Sequence, residues 1–367
     1  MSSTPTQSSR RAQSQNGRQP LQIWQLNLRH SIVATANITK ALSEGTANKT
    51  VAFIQEPYLN GNKRICGFPK PLKVYSITEA PRAAIVSLNT DLWFCPSFSG
   101  KDVATCLMST AQGKDVYLAS VYLDIKVPEL PEELCKLLRE KRDNPILVCM
   151  DSNSHSPMWG SRDTNPRGEN LEISILSNNL SIVNTGTADT FISPVGSSVI
   201  DITLCSPDIL NLISDWRVNP DPQGSDHLRI EFTLDAFPCR LPKTWDVRNA
   251  DWDKFRIEIE ARSAKWLDAV SPITTSSHLD AQAKSLKKDL NCSLQLSSRW
   301  RNGGTGKIQL RWWTPELTDL RREVKHLERQ RVRLGPHLRE YIKDRKKVYK
   351  KKSAGPRGLH GRNSLAT

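Results

Sequence analysis

The chain has no Cys-x-x-Cys pair and no Cys/His cluster at zinc-finger spacing, although eight cysteines are scattered at positions 66, 95, 106, 135, 149, 205, 239 and 292. A zinc ribbon or finger is therefore excluded. Several of these cysteines, Cys149 and Cys205 among them, sit inside apolar runs and read as reduced core residues. No stretch reaches the roughly 18 consecutive apolar residues that a membrane-crossing helix needs, so nothing here spans a membrane as a helix. The first 20 residues are rich in Ser, Gln, Arg and Pro and lack the apolar core of a secretory signal, which leaves a disordered leader as their reading.

What the chain does have is positive charge, +14 over 367 residues with a sequence pI near 9.5, which points to an acidic partner such as nucleic acid. Its position matters more than its total. Residues 1–232 carry 22 Lys and Arg against 23 Asp and Glu, whereas residues 233–367 carry 30 against 15. A near-neutral body is thus followed by a segment of net charge +15. The length allows one large domain or two, and a main domain with an appendage fits the charge split.

Short apolar runs recur along the neutral part: Val51–Ile54, Ala83–Leu88, Val116–Tyr122, Ile146–Met150, Ser198–Leu204 and Leu228–Phe232. Their length and β-branched content predict strands. Helical spacing is present in Ile32–Glu44, in Leu130–Lys141 and in Glu169–Asn178. The mixture predicts a layered α/β domain over residues 21–235. Prolines 238 and 242 and scattered tryptophans at 245, 252 and 266 predict a connector with short helices over 236–310. Thr314 as N-cap and Pro315 at the first helical position open a basic helical segment, 311–352, whose Leu317, Leu320, Val324, Leu327 and Leu334 follow heptad-like spacing until Arg331 interrupts them. Gly335-Pro336 breaks this helix, a second basic one follows, and 353–367 read as a disordered tail.

Chemistry concentrates where strands end. Asp151 and Asn153 follow the apolar run Ile146–Met150, and residues two apart leave a strand on the same side. Asn27 closes Leu21–Leu26, Glu56 follows Val51–Gln55, Asp201 lies inside Ser198–Ile202, and Ser225-Asp226-His227 precedes the strand at Leu228. Singly, each has a plainer reading: Asn27 as a turn amide, Glu56 as a solvated loop acid, His155 as a loop or core histidine, Asp201 as a satisfied buried acid. Together, hard oxygen donors and one histidine at a common rim suit Mg2+, with Mn2+ as the alternative ion, and leave a base beside it. Phosphodiester hydrolysis needs that set: charge neutralisation at phosphorus, an oriented water, and a group to meet the phosphate oxygens.

Read in order, Gln25-Leu-Asn27, Gln55-Glu56-Pro57-Tyr58, Ser120-Val-Tyr122, Asp151-Ser-Asn153-Ser-His155, Thr190, Ser198-Val-Ile-Asp201 and Ser225-Asp226-His227 resemble the endonuclease/exonuclease/phosphatase superfamily over about residues 21–232. Asn27-Leu-Arg-His-Ser31, the segment HSPMWGSRDTNPRG and the pair NTGTADTFIS and SSVIDITL look like the apurinic/apyrimidinic-type endonuclease domain of non-LTR retrotransposons, of the jockey, R1 and I type. The resemblance implies a four-layer α/β sandwich, two packed and mostly antiparallel sheets flanked by helices, with the basic helical segment as an extension. It also implies a Mg2+-dependent nick in double-stranded DNA whose 3′-hydroxyl primes reverse transcription, and hence a nuclear place of action.

By the same resemblance Glu56 and Asn27 serve the metal, Asp151 activates water with Asn153 positioning, and Tyr122 contacts the phosphate. His227 stabilises the scissile phosphate with Asp201 orienting it, and Asp226 assists the metal or the leaving group. Which of these groups is the true base stays open. Thr190, Ser225 and His155 are expected to touch substrate. One departure is visible: Cys149-Met150 precede the aspartate where many relatives have a glycine, so a bulky side chain stands at the turn. RWWTPELTDLRREVKHLERQR resembles the connector toward a reverse transcriptase, and the chain reads as a copy that stops before that domain. Within the same fold an abasic-site repair nuclease, a deadenylase or a phosphoinositide or sphingomyelin phosphatase would keep the same set. A catalytically degenerate relative that binds nucleic acid through the basic segment is the reading from a different class, and element RNA is a further partner for that segment.

Overall fold

The structure is a computed structural model describing residues 20–44, 50–87, 94–110, 115–236, 244–270, 275–301, 313–330 and 336–353. All but the last residue of the expected leader and all but the first residue of the expected tail lie outside them. The chain forms two compact units, residues 1–239 with 306–367, and residues 240–305.

The first unit contains two six-stranded sheets. In one, the order is β13 (Ile213–Asn219), β14 (Arg229–Leu234), β1 (Leu21–Asn27), β2 (Thr50–Gln55), β4 (Ala83–Ser87), β3 (Lys73–Tyr75). In the other it is β5 (Phe94–Ser97), β6 (Val103–Met108), β7 (Val116–Tyr122), β8 (Ile146–Asp151), β12 (Asp201–Cys205), β9 (Ser181–Ile182). Each sheet has one parallel pair, β1 with β2 and β7 with β8, and is otherwise antiparallel.

The two-residue period of a strand sorts side chains into layers. Val51 and Phe53 on β2 and Leu147 and Cys149 on β8 meet in the core between the sheets. Their neighbours turn outward. Ala52 and Ile54 pack with Ala34, Ile38 and Leu42 of α1 (Ile32–Glu44). Val148 and Met150 pack with Leu134, Leu137 and Leu138 of α2 (Glu132–Glu140) and with Leu171 and Ile175 of α3 (Pro166–Ser177). The result is the α–β–β–α sandwich, and it explains why the central strands read as continuous apolar runs: both faces are covered. Met150 occupies the outer core, so it does not crowd the turn after Asp151; positive φ is taken instead by Asn153, at 46°. Cys106, Cys149 and Cys205 are buried free thiols, as their apolar neighbours implied.

Two expectations need correction. The run Ser198–Leu204 is not one strand: β11 (Gly196–Ser198) pairs back on β10 (Phe191–Ser193), and β12 begins afresh at Asp201. Apolar content cannot show that break. The connector holds not short helices but α5 (Trp252–Val270) and α6 (Ser276–Ser297), of 19 and 22 residues. Pro272 is the only proline or glycine between residues 244 and 301, so nothing interrupts either helix. In this second unit α5 and α6 are tied by a hydrogen bond from Trp266 to Asp289 (2.8 Å).

The basic segment forms α7 (Pro315–Gln330) and α8 (Pro336–Ser353). Thr314 caps α7, its hydroxyl accepting from the Leu317 amide at 3.2 Å. Leu317, Leu320 and Val324 are buried as their spacing implied, but against Tyr349 of α8 and Val33 of the nuclease-like body rather than in a coiled coil.

Candidate active site

Parallel pairing of β1 with β2 and of β7 with β8 brings four strand ends to one edge of the sandwich. Register then does the assembling. Asn27 lies opposite Gln55, while Tyr122 and Asp201 flank Asp151 from either side. Behind this rim the two sheets are stapled by buried glutamines. Gln25 donates to the Met150 carbonyl (2.9 Å), and Gln55 donates to the Ser120 hydroxyl (3.0 Å) and the Cys149 carbonyl (3.1 Å). A buried amide without partners costs about 1–3 kcal/mol, so these side chains fix how the sheets meet.

Asp151 and Asp201 face each other in adjacent strands, both 1% exposed. Like charges directly opposite destabilise a sheet, and here a third group compensates. His227 Nδ1 is 2.8 Å from Asp201 Oδ2, and its Nε2 is 3.8 Å from Asp151 Oδ2. Burial alone would lower the imidazolium pKa, but Asp201 and then Asp151 outweigh it and hold His227 above its ordinary value. Desolvation is the main influence on Asp151 and raises its proton affinity, against the pull of His227. Phe191 packs edge-on to the His227 ring at 5.0 Å.

Glu56 and Asn27 complete the centre. The Asn27 amide donates to Asp151 Oδ2 (2.7 Å) and to Glu56 Oε2 (3.1 Å). Burial pushes the Glu56 pKa up, but hydrogen bonds from His30 and Asn27 prevail and keep it below the usual range. Tyr122 is half-buried, with the Arg82 guanidinium 5.0 Å from its ring centre. Burial, followed by Glu56 and Asp151, raises the phenol well above its ordinary pKa, so it remains an O–H donor. Asn153 sits on the same turn as Asp151, its backbone N–H donating to Asp151 Oδ1 (3.2 Å) and its amide to the Leu123 carbonyl (2.8 Å).

The remaining expected residues divide. Asp226 lies on the rim, ion-paired with Arg29. Thr190 is fully buried, and its hydroxyl accepts from the amides of Ile200 (3.1 Å) and Asp201 (3.0 Å). It braces the start of β12 instead of facing substrate, because the break in the apolar run leaves those amides without strand partners. Ser225 also braces backbone, donating to the Asn27 carbonyl (2.8 Å) and accepting from the His227 amide (3.2 Å). His155 turns toward Asp163 in its own loop, with Nδ1 and Oδ1 3.0 Å apart.

Sequence reading missed Arg29 and His30. His30 Nε2 stands 3.4 Å from Glu56, and both residues, like Glu56, have φ between 43° and 50°. Strained non-glycine backbone of this kind collects at functional sites. Their sequence signal was the stretch Asn27-Leu-Arg-His-Ser31, which carried part of the resemblance without giving either residue a role.

The donor chemistry fits a divalent cation. Glu56 and Asp151 offer hard carboxylate oxygens on either side of the Asn27 amide nitrogen, while Asn27 Oδ1 accepts from the Arg29 N–H (2.6 Å), and a buried oxygen of Asp201, Oδ1, has no hydrogen-bond partner. Asp151, Asp201 and His227 also form a compact triad of ligand-type atoms, but the 2.8 Å hydrogen bond between His227 and Asp201 already occupies one nitrogen and one oxygen of it. Glu56 is therefore the better holder of an ion, with Asn27 beside it fixing the carboxylate.

The family model described as endonuclease-reverse transcriptase matches residues 116–231. The chain is 25% identical over 298 residues to the 115 kDa protein of type-1 retrotransposable element R1DM of Drosophila melanogaster, covering 76% of this chain and 28% of that protein. It is 25% identical over 253 residues to a Pol polyprotein from type-1 retrotransposable element R1 of Bradysia coprophila, covering 63% of this chain and 25% of the relative. It thus spans about a quarter of the length of these relatives. Among solved structures it is similar to the endonuclease domain of TRAS1, a telomere-specific non-LTR retrotransposon, with 26% identity and a TM-score of 0.51 over 59% of this chain and 98% of that domain. These matches support the two-sheet sandwich with its acid–histidine rim as a fold of the endonuclease/exonuclease/phosphatase kind, similar to the endonuclease domains of non-LTR retrotransposons.

Proposed function

We infer that this protein is a Mg2+-dependent endonuclease that nicks double-stranded DNA and leaves a 3′-hydroxyl able to prime reverse transcription. The observation that carries the reading is the convergence of Glu56, Asn27, Asp151, Asp201 and His227 at one edge of the sandwich, joined by hydrogen bonds through Asn27 and His227. When bound, the cation would supply charge neutralisation at the scissile phosphate, held by Glu56 with Asn27 beside it. Mn2+ fits the same oxygens.

The residues themselves divide the remaining work. Asp151, with raised proton affinity, takes a proton from the attacking water; Asn153 fixes the turn that aims it. The water oxygen bonds to phosphorus, the bond to the 3′ oxygen breaks, and that oxygen takes a proton from solvent to leave as the hydroxyl, while Asp151 returns its proton to solvent. His227, kept cationic and oriented by Asp201, meets a non-bridging phosphate oxygen, and the Tyr122 hydroxyl donates to another. Asp226 and Arg29 stand at the rim where the leaving strand emerges.

The exposed lysines 343, 347, 350 and 351 lie along one side of α8 and would hold phosphate backbone, of target DNA or of element RNA. A DNA substrate would place the reaction in the nucleus. Among the described residues no helix is long and apolar enough to cross a membrane.

The test is nicking of supercoiled plasmid by the full chain with Mg2+, alongside EDTA and the variants Asp151→Ala and His227→Ala, with sequencing of the ends. Metal-dependent nicks that leave 3′-hydroxyls and vanish in both variants are expected. Folded protein that binds DNA yet never cleaves it would overturn the catalytic reading.

A further inference from the structure

We propose that the C-terminal hairpin α7–α8 is part of the nuclease's working site, with Tyr349 as a positioning residue that sets the loop carrying His227 through Asn37. The inference rests on the nuclease reading above.

The contacts form an unbroken relay within one unit. Tyr349, 2% exposed, donates its hydroxyl to Asn37 Oδ1 of α1. Asn37, also 2% exposed, donates Nδ2 to the Gln223 carbonyl at 2.8 Å. An asparagine amide has a donor end and an acceptor end, and here both are used: Nδ2 donates to the Gln223 carbonyl and Oδ1 accepts from Tyr349. The two partners together pin the side chain. Without the Tyr349 hydroxyl a buried Oδ1 is left without a donor and the amide is held at one end only.

Gln223 begins a stretch in which every residue to His227 is held. Its own side chain donates to the Asp221 carbonyl (2.5 Å). Gly224, at φ 84°, lies so close to α1 that a Cβ there would be 2.8 Å from Val33 and 3.1 Å from the Asn37 amide, and its carbonyl accepts from Ser31 (3.0 Å). Ser225 reaches the Asn27 carbonyl, Asp226 pairs with Arg29, and His227 meets Asp201. A shift at Gln223 is therefore passed along a stretch with no slack.

The hairpin grips this stretch at a second point. Arg329 of α7 is ion-paired with Asp221, and Lys325 lies 3.7 Å from the same carboxylate. At the far end of α1, Arg321 stands 3.6 Å from Glu44. α7 and α8 thus clasp both α1 and the start of the loop, which a merely tethered linker would not do. Placement errors near 1 Å at a reacting centre cost about a hundredfold in rate, so a small loss of order in the loop is readable.

The experiment uses the full chain and a short duplex containing a mapped nick site. Tyr349→Phe keeps the buried ring and removes only the hydroxyl; Arg329→Gln removes the exposed grip on Asp221. For Tyr349→Phe, kcat is expected to fall about tenfold with KM within twofold, and the amides of residues 224–227 are expected to exchange faster with solvent deuterium. Arg329→Gln should move both readouts in the same direction by less. Unchanged loop exchange, or faster exchange with unchanged kcat, would overturn the proposal even if the melting temperature drops. If the wild-type chain makes no metal-dependent nicks, the nuclease reading fails separately, while the exchange measurement still tests the relay.

Discussion

Replacing Asp201 by asparagine isolates the contribution of one charge. The side chain keeps its size and an acceptor for His227, but the negative charge 2.8 Å from Nδ1 disappears. With charge centres about 4 Å apart and an effective dielectric near 20, that charge is worth about 4 kcal/mol to the imidazolium. At about 1.4 kcal/mol per pKa unit this corresponds to a fall of roughly two to three units for His227. Desolvation, which favours the neutral ring, then faces only Asp151 and the weaker pull of Glu56. At neutral pH the variant holds a neutral imidazole against the phosphate, and the expected loss in nicking rate is about 10²- to 10³-fold. The sign with pH follows from the direction of the shift. In the wild type His227 is held above its ordinary value, so its charge persists to higher pH. In Asp201→Asn the charge returns only as the pH falls. The ratio of wild-type to variant rate should therefore shrink between pH 8 and pH 5.5, measured as single-turnover nicking with matched cation. Stability moves the same way: the part contributed by charged His227 is complete below its unfolded pKa and fades as pH rises through the folded one. A loss under threefold, or a ratio constant with pH, would refute the assignment of Asp201 as the group that keeps His227 cationic.

Three further outcomes follow from other parts of the structure. Glu56→Gln should raise the Mg2+ concentration for half-maximal nicking at least about tenfold and weaken Mn2+ binding by calorimetry; unchanged metal affinity would move the ion elsewhere, the Asp151–Asp201–His227 triad being the alternative. Gly168→Ala places a Cβ 1.8 Å from the His155 carbonyl oxygen, so the first turn of α3 must shift; urea unfolding should show a loss of about 2–3 kcal/mol, and a loss under 0.5 kcal/mol would show that the loop yields freely. Burial, then Arg321, lowers the Lys325 ammonium to about 8, so its charge opposes folding below that pH and ceases to as pH rises toward its unfolded value. Lys325→Met should therefore stabilise the chain by roughly 1 kcal/mol at pH 6.5 and by nothing near pH 10.5; no gain at pH 6.5 would contradict this.

The sequence carried the site better than the frame around it. Strand ends at Asn27, Glu56 and Asp151 were legible because each follows an apolar run buried on both faces, and such runs need no partner to be recognised. β13 was not, since none of its residues is buried and they lack alternation, as suits a sheet edge. Gln25 and Gln55 looked like interruptions in strands; their meaning depends on carbonyls 125 and 94 residues away in sequence. Thr190 and Ser225 were legible as parts of motifs but not as braces for backbone, because the amides they satisfy, at the start of β12 and in the loop before β14, are set only by the folded chain.

The basic segment shows a different limit. Its apolar stripe correctly marked the face of α7 that would be buried, yet periodicity names a face and never its partner. The partner proved to be α8 together with α1, and that changes what the positive charge is for. Arg345 and Lys346 of α8 pair with Glu323 and Glu328 of α7, and Arg329 is committed to Asp221. These cations hold the hairpin together and to the nuclease body. The net charge of residues 233–367 therefore overstates what is free to meet phosphate, while lysines 343, 347, 350 and 351 of α8 stay exposed. Because those lysines sit on a helix that is itself docked against α1, phosphate bound there would be held at a fixed offset from His227, so one segment would both order the catalytic loop and set the path of the nucleic acid across it.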